Sequence, residues 1–391
     1  MLVPRMAPFT STIFAEMSAL ALRTGAINLG QGFPDTDGPA SLLADAAANV
    51  TGGVNQYPPG VGVPALRIAV AEHQKRFWGL EVDPDYVLVT TGATEAIAAA
   101  VLALCGPGDE VVTFQPYYDS YAATVALSGA ALRAVPLRPV PGAGFTFDPA
   151  ELRAAFSSKT RVVLVNTPHN PTGTVLDREQ LKLIGELATE FDAVVVTDEV
   201  YEHMVYPDDE GSGEHVPMAT LPGLADRTLT ISSAGKTFSV TGWKVGWVHG
   251  PPALVAAVRA VKQFLTYVSG APFQPAIAAA LGLPDAFYHG LAAGLARKRD
   301  LLVEGLRRAG FAVHPPRGTY FVVTDVAPLG FDDGAAFCWR LPQLVGVAAV
   351  PVSVFCVDPE LGRTLVRFAF CKRDEVLTAA VERLAGLRAL A

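Results

Sequence analysis

The chain has 391 residues, half of them hydrophobic, and a formal net charge of −8 at pH 7. This composition excludes disordered, collagen-like and disulfide-stapled proteins, and the acidic balance excludes an electrostatic footprint for nucleic acid or an anionic membrane surface. A chain of this length is expected to form two or three domains and to bury enough surface for a well-walled site. Small molecules are therefore the expected partners, with no nucleic acid and no membrane among them.

The cysteines and the N-terminal region predict a cytoplasmic protein without a metal. The four cysteines lie far apart with no CxxC pair, which argues against both a zinc cluster and a disulfide framework. No secretory signal is visible, and the best apolar run, residues 96–105, is about half of the ~20 residues that a membrane-spanning helix needs.

Short β-branched runs alternate with helical patterns such as residues 178–190 and 253–265. Several runs are continuously apolar, as in residues 162–165, which is typical of strands covered on both faces. The pattern predicts an α/β fold with a mainly parallel central sheet. The predicted central strands are Tyr86–Thr90, Glu110–Phe114, Ala131–Leu137, Arg161–Asn166, Ala193–Thr197, Arg227–Ser232 and Val245–His249.

From about residue 286 the pattern changes to a long helical stretch, then short strands and helices up to a closing helix from Asp374. This texture predicts a smaller α+β domain, with which the segment ahead of the first central strand could pack. We therefore predict a large domain of residues 46–285 and a second unit formed by residues 1–45 and 286–391.

Ligands of open parallel sheets bind outside the carboxyl ends of the strands, so polar residues that follow strands are the first candidates for a site. In the segment TTGATE, residues 90–95, a strand meets a helix through Gly92. Such a turn points backbone N–H groups and the positive end of a helix at an anion, typically phosphate. The alternative is a plain turn in which Thr94 caps the helix.

A second junction is the segment NTPHNPTG, residues 166–173, directly after a predicted strand. Asn166 and Asn170 can bind a ligand oxygen or merely close an Asx-turn. His169, placed between Pro168 and Asn170, is more typical of a loop histidine than of an acid or base.

At the third junction Asp198 stands at the mouth of a predicted central strand. An unpaired carboxylate there is costly, so Asp198 needs a cation or a strong donor unless it only caps the next helix. Tyr201, three residues on, could reach the same ligand, and Glu199 is expected to be a solvated neighbour.

Lys236 is the only charged residue between Thr228 and Trp243. The segment resembles the end of a phosphate-binding P-loop, but that motif requires glycine where this chain has Thr230, so a nucleotide site is not supported. A lysine among small and aromatic residues, with the positive charge of Lys244 nearby, can hold a neutral amine suited to Schiff-base chemistry. The alternative is an ordinary surface charge.

The last candidate is Arg367, which strand alternation places on the face opposite Val366 and Phe368. A guanidinium in so apolar a neighbourhood needs an anion, and its fork suits a carboxylate. The alternative partner is an aspartate or glutamate of the chain itself.

Together these are the parts that a pyridoxal 5′-phosphate (PLP) enzyme acting on amino acids requires. The residues of these motifs and their order along the chain resemble those of the fold-type I, class I/II aminotransferases, and the resemblance covers essentially the whole chain. Segments NLGQGFPD (28–35), QYPPG (56–60) and SAGKTF (233–238) are similar to the kynurenine/methionine aminotransferase branch. Segments FAEMSAL (14–20) and GATEAI (92–97) resemble actinobacterial N-succinyldiaminopimelate aminotransferases of lysine biosynthesis.

The resemblance implies that Lys236 binds PLP covalently and later moves a proton, while Asp198 keeps the pyridine nitrogen protonated. It further implies that Asn170 and Tyr201 hold the phenolic oxygen of the cofactor and that Tyr118 stacks on its ring.

For the phosphate, the resemblance implies Ala93, Thr94, Ser233 and Lys244, the last being an arginine in many class I members but a lysine in the kynurenine-like branch. Tyr57 would reach the phosphate of a neighbouring subunit, which implies a homodimer with shared sites.

Arg367, assisted by Asn166 and the Gly32 backbone, would bind the substrate carboxylate. For a distal acidic group of the substrate, Arg23 and Arg317 are candidates.

The resemblance therefore implies an aminotransferase that exchanges an amino group between glutamate and a 2-oxo acid or N-succinyl-2-amino-6-oxopimelate. The alternatives are a kynurenine, methionine or glutamine aminotransferase, a carbon–sulfur β-lyase of cysteine conjugates, and a non-catalytic relative that binds a ligand.

Overall fold

A computed structural model describes residues 3–140, 144–206 and 214–389. The helices are α1 Ile13–Thr24, α2 Ala40–Thr51, α3 Pro64–Trp78, α4 Gly92–Leu104, α5 Ser120–Ser128, α6 Pro149–Ala155, α7 Arg178–Glu190, α8 Ala234–Thr237, α9 Pro252–Leu265, α10 Phe273–Leu281, α11 Asp285–Ala309, α12 Gly334–Val345 and α13 Asp374–Ala385. The strands are β1 Ile27–Asn28, β2 Val87–Thr91, β3 Glu110–Gln115, β4 Ala131–Pro136, β5 Arg138–Val140, β6 Gly144–Thr146, β7 Thr160–Asn166, β8 Val194–Asp198, β9 Thr228–Ser233, β10 Val245–His249, β11 Ala312–His314, β12 Phe321–Asp325, β13 Val347–Ala348, β14 Val350–Pro351 and β15 Leu365–Ala369.

The largest sheet has seven strands in the order β2-β10-β9-β8-β7-β3-β4. Strand β10 runs antiparallel to both of its neighbours, and all other pairs are parallel. Each predicted central strand is present, with its ends within one residue of the prediction. The predicted α/β fold with a mainly parallel central sheet is therefore confirmed.

Both faces of this sheet are covered, which explains the continuous apolar runs. In β7, Val163 and Val165 pack on one face with residues of α6 and α7, whereas Val162 and Leu164 pack on the other with residues of α4, α5 and α9. All four side chains are fully buried. Helix α7 begins with the capping box that its sequence contains, formed by Asp177 and Gln180.

A second sheet of four antiparallel strands, in the order β11-β12-β15-β14, shares a core with α11, α12 and α13. The N-terminal segment joins this region through α1 and through β1, which pairs with β13. Helix α2 contains residue 45, the predicted end of the N-terminal arm, and its Leu42 and Ala46 pack in the core at the edge of the central sheet. Residue 45 thus lies inside α2, and the division of the chain into domains stays a prediction.

All four cysteines are free and buried. Among the helices of the described residues, none combines the length and the apolar character needed to cross a lipid bilayer.

Candidate active site

A cavity of about 180 Å³ opens where β7, β8 and β9 end and α4 begins. Many of the residues predicted from the motifs line it together. They are Ala93, Thr94, Tyr118, Asn166, Asn170, Asp198, Tyr201, Ser233, Lys236 and Lys244.

The turn into α4 is shaped to receive an anion. Gly92 has φ +73°, which favours glycine, and a Cβ added there would lie 3.2 Å from the Lys244 Nζ. Gly246 of β10 passes directly beneath, since a Cβ there would lie 2.5 Å from the Gly92 carbonyl carbon. The Lys244 ammonium therefore stands beside the N-terminus of α4, where both attract negative charge. Thr94 is not the cap of this helix, because the N-cap residue is Thr91.

Lys236 lies in the single turn of α8 after β9, and although the residue as a whole is half-buried, its amine is withdrawn from solvent. Its Nζ donates a hydrogen bond of 3.4 Å to the Gly32 carbonyl and lies 5.6 Å from the ring centres of both Tyr201 and Tyr320. Burial lowers the pKa of Lys236 to about 8, with smaller contributions from the positive charges of Arg367 and Lys244. The lysine is therefore a cavity amine that can lose its proton near neutral pH, and not a surface charge.

Asp198, at the end of β8, is 4% exposed. Its Oδ2 accepts a hydrogen bond of 2.6 Å from the Tyr121 hydroxyl, and its Oδ1 accepts one of 3.3 Å from the Val200 N–H. Burial nevertheless raises the pKa of Asp198 to about 6. The strong donor that Asp198 was expected to need is Tyr121, which sequence reasoning missed although it stands three residues after Tyr118.

The two asparagines of the loop after β7 have different surroundings. Asn166 Oδ1 accepts a hydrogen bond of 2.8 Å from the Asn170 N–H, and Asn166 Nδ2 donates one of 2.8 Å to the Asp198 carbonyl. Asn166 therefore closes the loop as well as lining the cavity. His169 is buried against the Thr172 hydroxyl, and burial lowers its pKa to about 3, so it is neutral.

Arg367, in β15, is 1% exposed and lies directly behind the cavity wall. It donates hydrogen bonds of 2.9 Å to Asn170 Oδ1 and 2.8 Å to the Gly30 carbonyl, while its Nε has no partner. Its guanidinium carbon lies 4.1 Å from the Phe321 ring centre. Burial lowers the pKa of Arg367 to about 10. Among the described residues no carboxylate forms an ion pair with it, so the alternative of an internal acidic partner is not supported.

Besides Arg367, two predicted residues do not line this cavity, Gly32 and Tyr57. The Gly32 carbonyl accepts hydrogen bonds from Lys236 and, at 2.7 Å, from the Tyr320 hydroxyl, so it adjoins the amine. Tyr57 is 82% exposed and contacts Tyr267, with ring centres 5.7 Å apart.

Neither candidate for a distal acidic group reaches the cavity. Arg23 is exposed in the last turn of α1, and Arg317 lines a different cavity with Gly173 and Gln180.

The expectation that Glu199 is a solvated neighbour is wrong. Because successive residues of a strand point to opposite sides and both sides of this sheet are covered, Glu199 is fully buried. Its Oε2 lies 2.9 Å from His215 Nε2, and its Oε1 accepts a hydrogen bond from the Met218 N–H.

The same side of the sheet holds Glu202, His73 and His203, whose ligand atoms have the spacing of a metal site. The Nε2 atoms of the two histidines are 2.7 Å apart, the distance of a hydrogen bond, and burial lowers both pKa values. The Glu202 oxygens accept hydrogen bonds from the Trp78 indole and the Ser232 hydroxyl. Hydrogen bonds within the protein therefore occupy the two Nε2 atoms and the Glu202 carboxylate, while His73 Nδ1 has no partner.

Comparison with known proteins identifies the class. The chain matches the model of the family "Aminotransferase class I and II" over residues 24–384, and it belongs to that family.

Among its relatives is the probable N-succinyldiaminopimelate aminotransferase of Mycobacterium tuberculosis, 52% identical across 99% of this chain and 98% of the relative. The methionine aminotransferase of Escherichia coli is 42% identical across 96% of each chain. The solved structure of the M. tuberculosis N-succinyldiaminopimelate aminotransferase superposes with a TM-score of 0.96, covering 99% of this chain and 100% of that one.

The protein is therefore an aminotransferase that acts on amino acids and 2-oxo acids with PLP as its cofactor. The cavity fits that cofactor by its own chemistry. It has an anion-binding turn beside Lys244, a buried amine in Lys236 and a buried acid in Asp198. The unpartnered Nε of Arg367 behind the same wall is suited to a further anionic group.

Proposed function

We propose that this aminotransferase moves an amino group from glutamate to N-succinyl-2-amino-6-oxopimelate, a step of diaminopimelate and lysine biosynthesis. The observation that carries the reaction is the buried Lys236 amine, which shares one cavity with Asp198. The choice of substrate is supported by 52% identity along nearly the whole chain to the M. tuberculosis protein.

Lys236 is proposed as the attachment point for PLP and then as the base that takes and returns the substrate α-proton. A pKa near 8 suits this role, because the free amine is then available close to neutral pH. Bound PLP supplies an electron sink for the carbanion that proton removal creates. Asp198 is proposed to keep the pyridine nitrogen protonated by placing a carboxylate against it in a site with little water.

The remaining cavity residues are proposed to position the cofactor. Backbone N–H groups of Ala93 and Thr94, with Ser233 and Lys244, would bind the phosphate at the start of α4.

Asn170 and Tyr201 would hydrogen-bond the phenolic oxygen, and Tyr118 would stack on the ring. All seven of these residues line the same cavity, which supports the assignment.

Arg367 is proposed to bind the substrate α-carboxylate, with Asn166 and the Gly32 backbone nearby. Its fork is already fixed by Asn170 and Gly30, so little side-chain entropy remains to be lost when a carboxylate binds.

We propose a homodimer, in which Tyr57 reaches the phosphate of the second subunit. The support is that Tyr57 is highly exposed and does not line the cavity of its own subunit. A large domain of residues 46–285, with residues 1–45 and 286–391 forming the smaller unit, is part of this proposal. A cytoplasmic location is proposed because four cysteines remain free.

The reaction is tested by borohydride reduction of the PLP-loaded enzyme followed by peptide mapping. The pyridoxyl label should fall on Lys236 and be absent from a Lys236→Ala variant, whose multiple-turnover transamination should drop by about 10⁴-fold. Lys182→Ala, which removes an exposed lysine of α7, is the matched control. A label on any other lysine would contradict the assignment.

The substrate is tested by kcat/KM for N-succinyl-2-amino-6-oxopimelate against kynurenine, methionine and glutamine as amino donors. The methionine aminotransferase relationship makes this second group the competing hypothesis. Preference for kynurenine or methionine by orders of magnitude would exclude the lysine-pathway role, and pyruvate release from cysteine conjugates would reveal a β-lyase activity.

A further inference from the structure

A buried lysine outside the active site joins two surface loops. Lys262, in α9, is 3% exposed although its neighbours Phe264 and Leu265 are 84% and 46% exposed. Its Nζ donates hydrogen bonds of 3.0 Å to the Gly60 carbonyl and 2.5 Å to the Tyr267 carbonyl. An ammonium withdrawn from water in this way must be held by its acceptors, so the two loops are fixed relative to α9.

These loops carry two exposed aromatic side chains that form one platform, defined here as Tyr57 and Tyr267. Tyr57 and Tyr267 are 82% and 50% exposed, and their rings meet edge to face. Tyr267 has φ +63°, a conformation that a non-glycine residue keeps only when its surroundings impose it. The bond from Lys262 to the Tyr267 carbonyl is one such constraint.

The loop at residue 267 is also bonded to the anion-binding turn. The Thr266 hydroxyl donates to Glu95 Oε1, while Glu95 Oε2 accepts a hydrogen bond of 2.6 Å from the Thr91 N–H. The Thr91 hydroxyl donates to Ser269 Oγ at 3.0 Å. Thr91 directly precedes Gly92, so a continuous set of hydrogen bonds links the platform to the proposed phosphate site.

We propose that Lys262 is a positioning residue that couples subunit association to cofactor retention. It holds the platform in the orientation that a second copy of this chain would contact, and Thr266, Glu95 and Thr91 carry that constraint to the phosphate turn. The inference rests on the homodimer proposed above. Because coupling between two binding events is reciprocal, cofactor should tighten the dimer by the same factor by which dimerisation tightens cofactor binding.

The test is a sedimentation series over protein concentration, with and without PLP, on wild type, Lys262→Met and the control Lys182→Met. Methionine keeps the unbranched stem but removes the ammonium. We expect the wild type and the control to dimerise about 10- to 100-fold more tightly with PLP. For Lys262→Met the ratio of the two dimer dissociation constants should approach 1, and PLP binding followed by fluorescence should weaken about 10-fold or more.

A second variant keeps the test decisive if Lys262→Met fails to fold. Thr266→Val removes only the hydroxyl that binds Glu95, and it should lower the coupling ratio while the Lys262 bonds persist. A wild-type chain that stays monomeric with PLP would overturn the homodimer and, with it, this inference. A wild-type dimer whose coupling ratio is unchanged in the variants would overturn the role of Lys262 alone.

Discussion

Asp198 and Glu199 are adjacent at the end of β8, yet they are buried in two different surroundings. Asp198 faces the active-site cavity with the Tyr121 hydroxyl as its strong donor, and burial raises its pKa to about 6. Glu199 points to the other side of the sheet, where His215 and the Met218 N–H occupy its two oxygens. Asp198 is therefore a carboxylate placed to meet a ligand, whereas Glu199 is a carboxylate satisfied by the protein itself.

The buried cations show the same contrast. Lys262 donates to two carbonyls, whereas Lys236 has a single long hydrogen bond and Arg367 retains an unpartnered Nε. A buried polar group with an incomplete set of partners costs stability unless a ligand completes it. Lys236 lines the active-site cavity and Arg367 lies directly behind its wall, which is where the chemistry is proposed.

The contrast between Asp198 and Glu199 is tested most strongly by substituting each of these two residues in turn. A folded-state pKa raised above the ordinary 3.8 means that ionised Asp198 destabilises the folded, cofactor-free protein above pH 6, by about 2–3 kcal/mol. Asp198→Asn should therefore increase the free energy of unfolding at pH 8 by up to that amount, while kcat/KM falls by about 10²–10³-fold.

Glu199→Gln is the matched substitution and should have the opposite effects. It weakens a satisfied buried pair, so the free energy of unfolding should fall by about 1–3 kcal/mol, with kcat/KM within about threefold of wild type. Urea unfolding at pH 8 and steady-state kinetics measure both quantities. If both variants lost stability and activity in parallel, the distinction between the two acids would not hold.

A pH series examines a third buried group, on β10. His249 is 2% exposed, its Nε2 has no partner, and burial lowers its pKa to about 4. Because the unfolded chain binds the proton more readily, the stability contributed by neutral His249 is complete above pH 6.5 and is lost as the pH falls towards 4. Between pH 7 and pH 5 this loss amounts to about 2 kcal/mol.

His249→Gln should make the free energy of unfolding less sensitive to pH over that interval, as measured by urea titrations at pH 7 and pH 5. His289→Gln, which changes an exposed histidine of α11, is the control and should leave the pH dependence as in wild type. Equal pH dependence in both variants would show that His249 is not held neutral by burial.

The sequence was sufficient to predict the central strands, because a strand covered on both faces contains a continuous apolar run, such as residues 162–165 of β7. It also predicted the residues that meet at the cavity, since polar residues following parallel strands converge at one edge of a sheet. The same rule of covered faces would have predicted the burial of Glu199, because a residue that alternates with Asp198 at the end of β8 meets another covered face.

Other features depend on how elements pack, and no local pattern contains them. The burial of Glu202 requires Trp78 from α3 and Ser232 from β9, which are far apart in the sequence. The position of α2 is a second example, because its apolar stripe does not specify which sheet the helix will cover, and packing places it at the edge of the central sheet.

The contact of Tyr121 with Asp198 is another feature that depends on how elements pack. Substitution of Tyr121 gives the smallest of the expected effects. Its hydroxyl is the one side-chain donor to Asp198 among the described contacts, at 2.6 Å, and it favours the ionised carboxylate. Tyr121→Phe should therefore raise the pKa of Asp198 further in the cofactor-free enzyme and leave the carboxylate less firmly oriented. We expect kcat to fall about 10-fold, with KM for the amino acid little changed, because Tyr121 touches Asp198 and not the proposed carboxylate site at Arg367.

The pH dependence of kcat distinguishes this role from a general loss of packing around α5. Loss of the hydroxyl alone should move the acidic limb of the profile to higher pH, whereas loosened packing should lower kcat equally at every pH. Tyr117→Phe, a neighbouring buried tyrosine without a bond to Asp198, supplies the comparison for packing. An unshifted acidic limb in Tyr121→Phe would mean that the backbone N–H of Val200 is enough to hold the Asp198 carboxylate. The protein would then satisfy Asp198 as fully as it satisfies Glu199, and the contrast between the two acids would be lost.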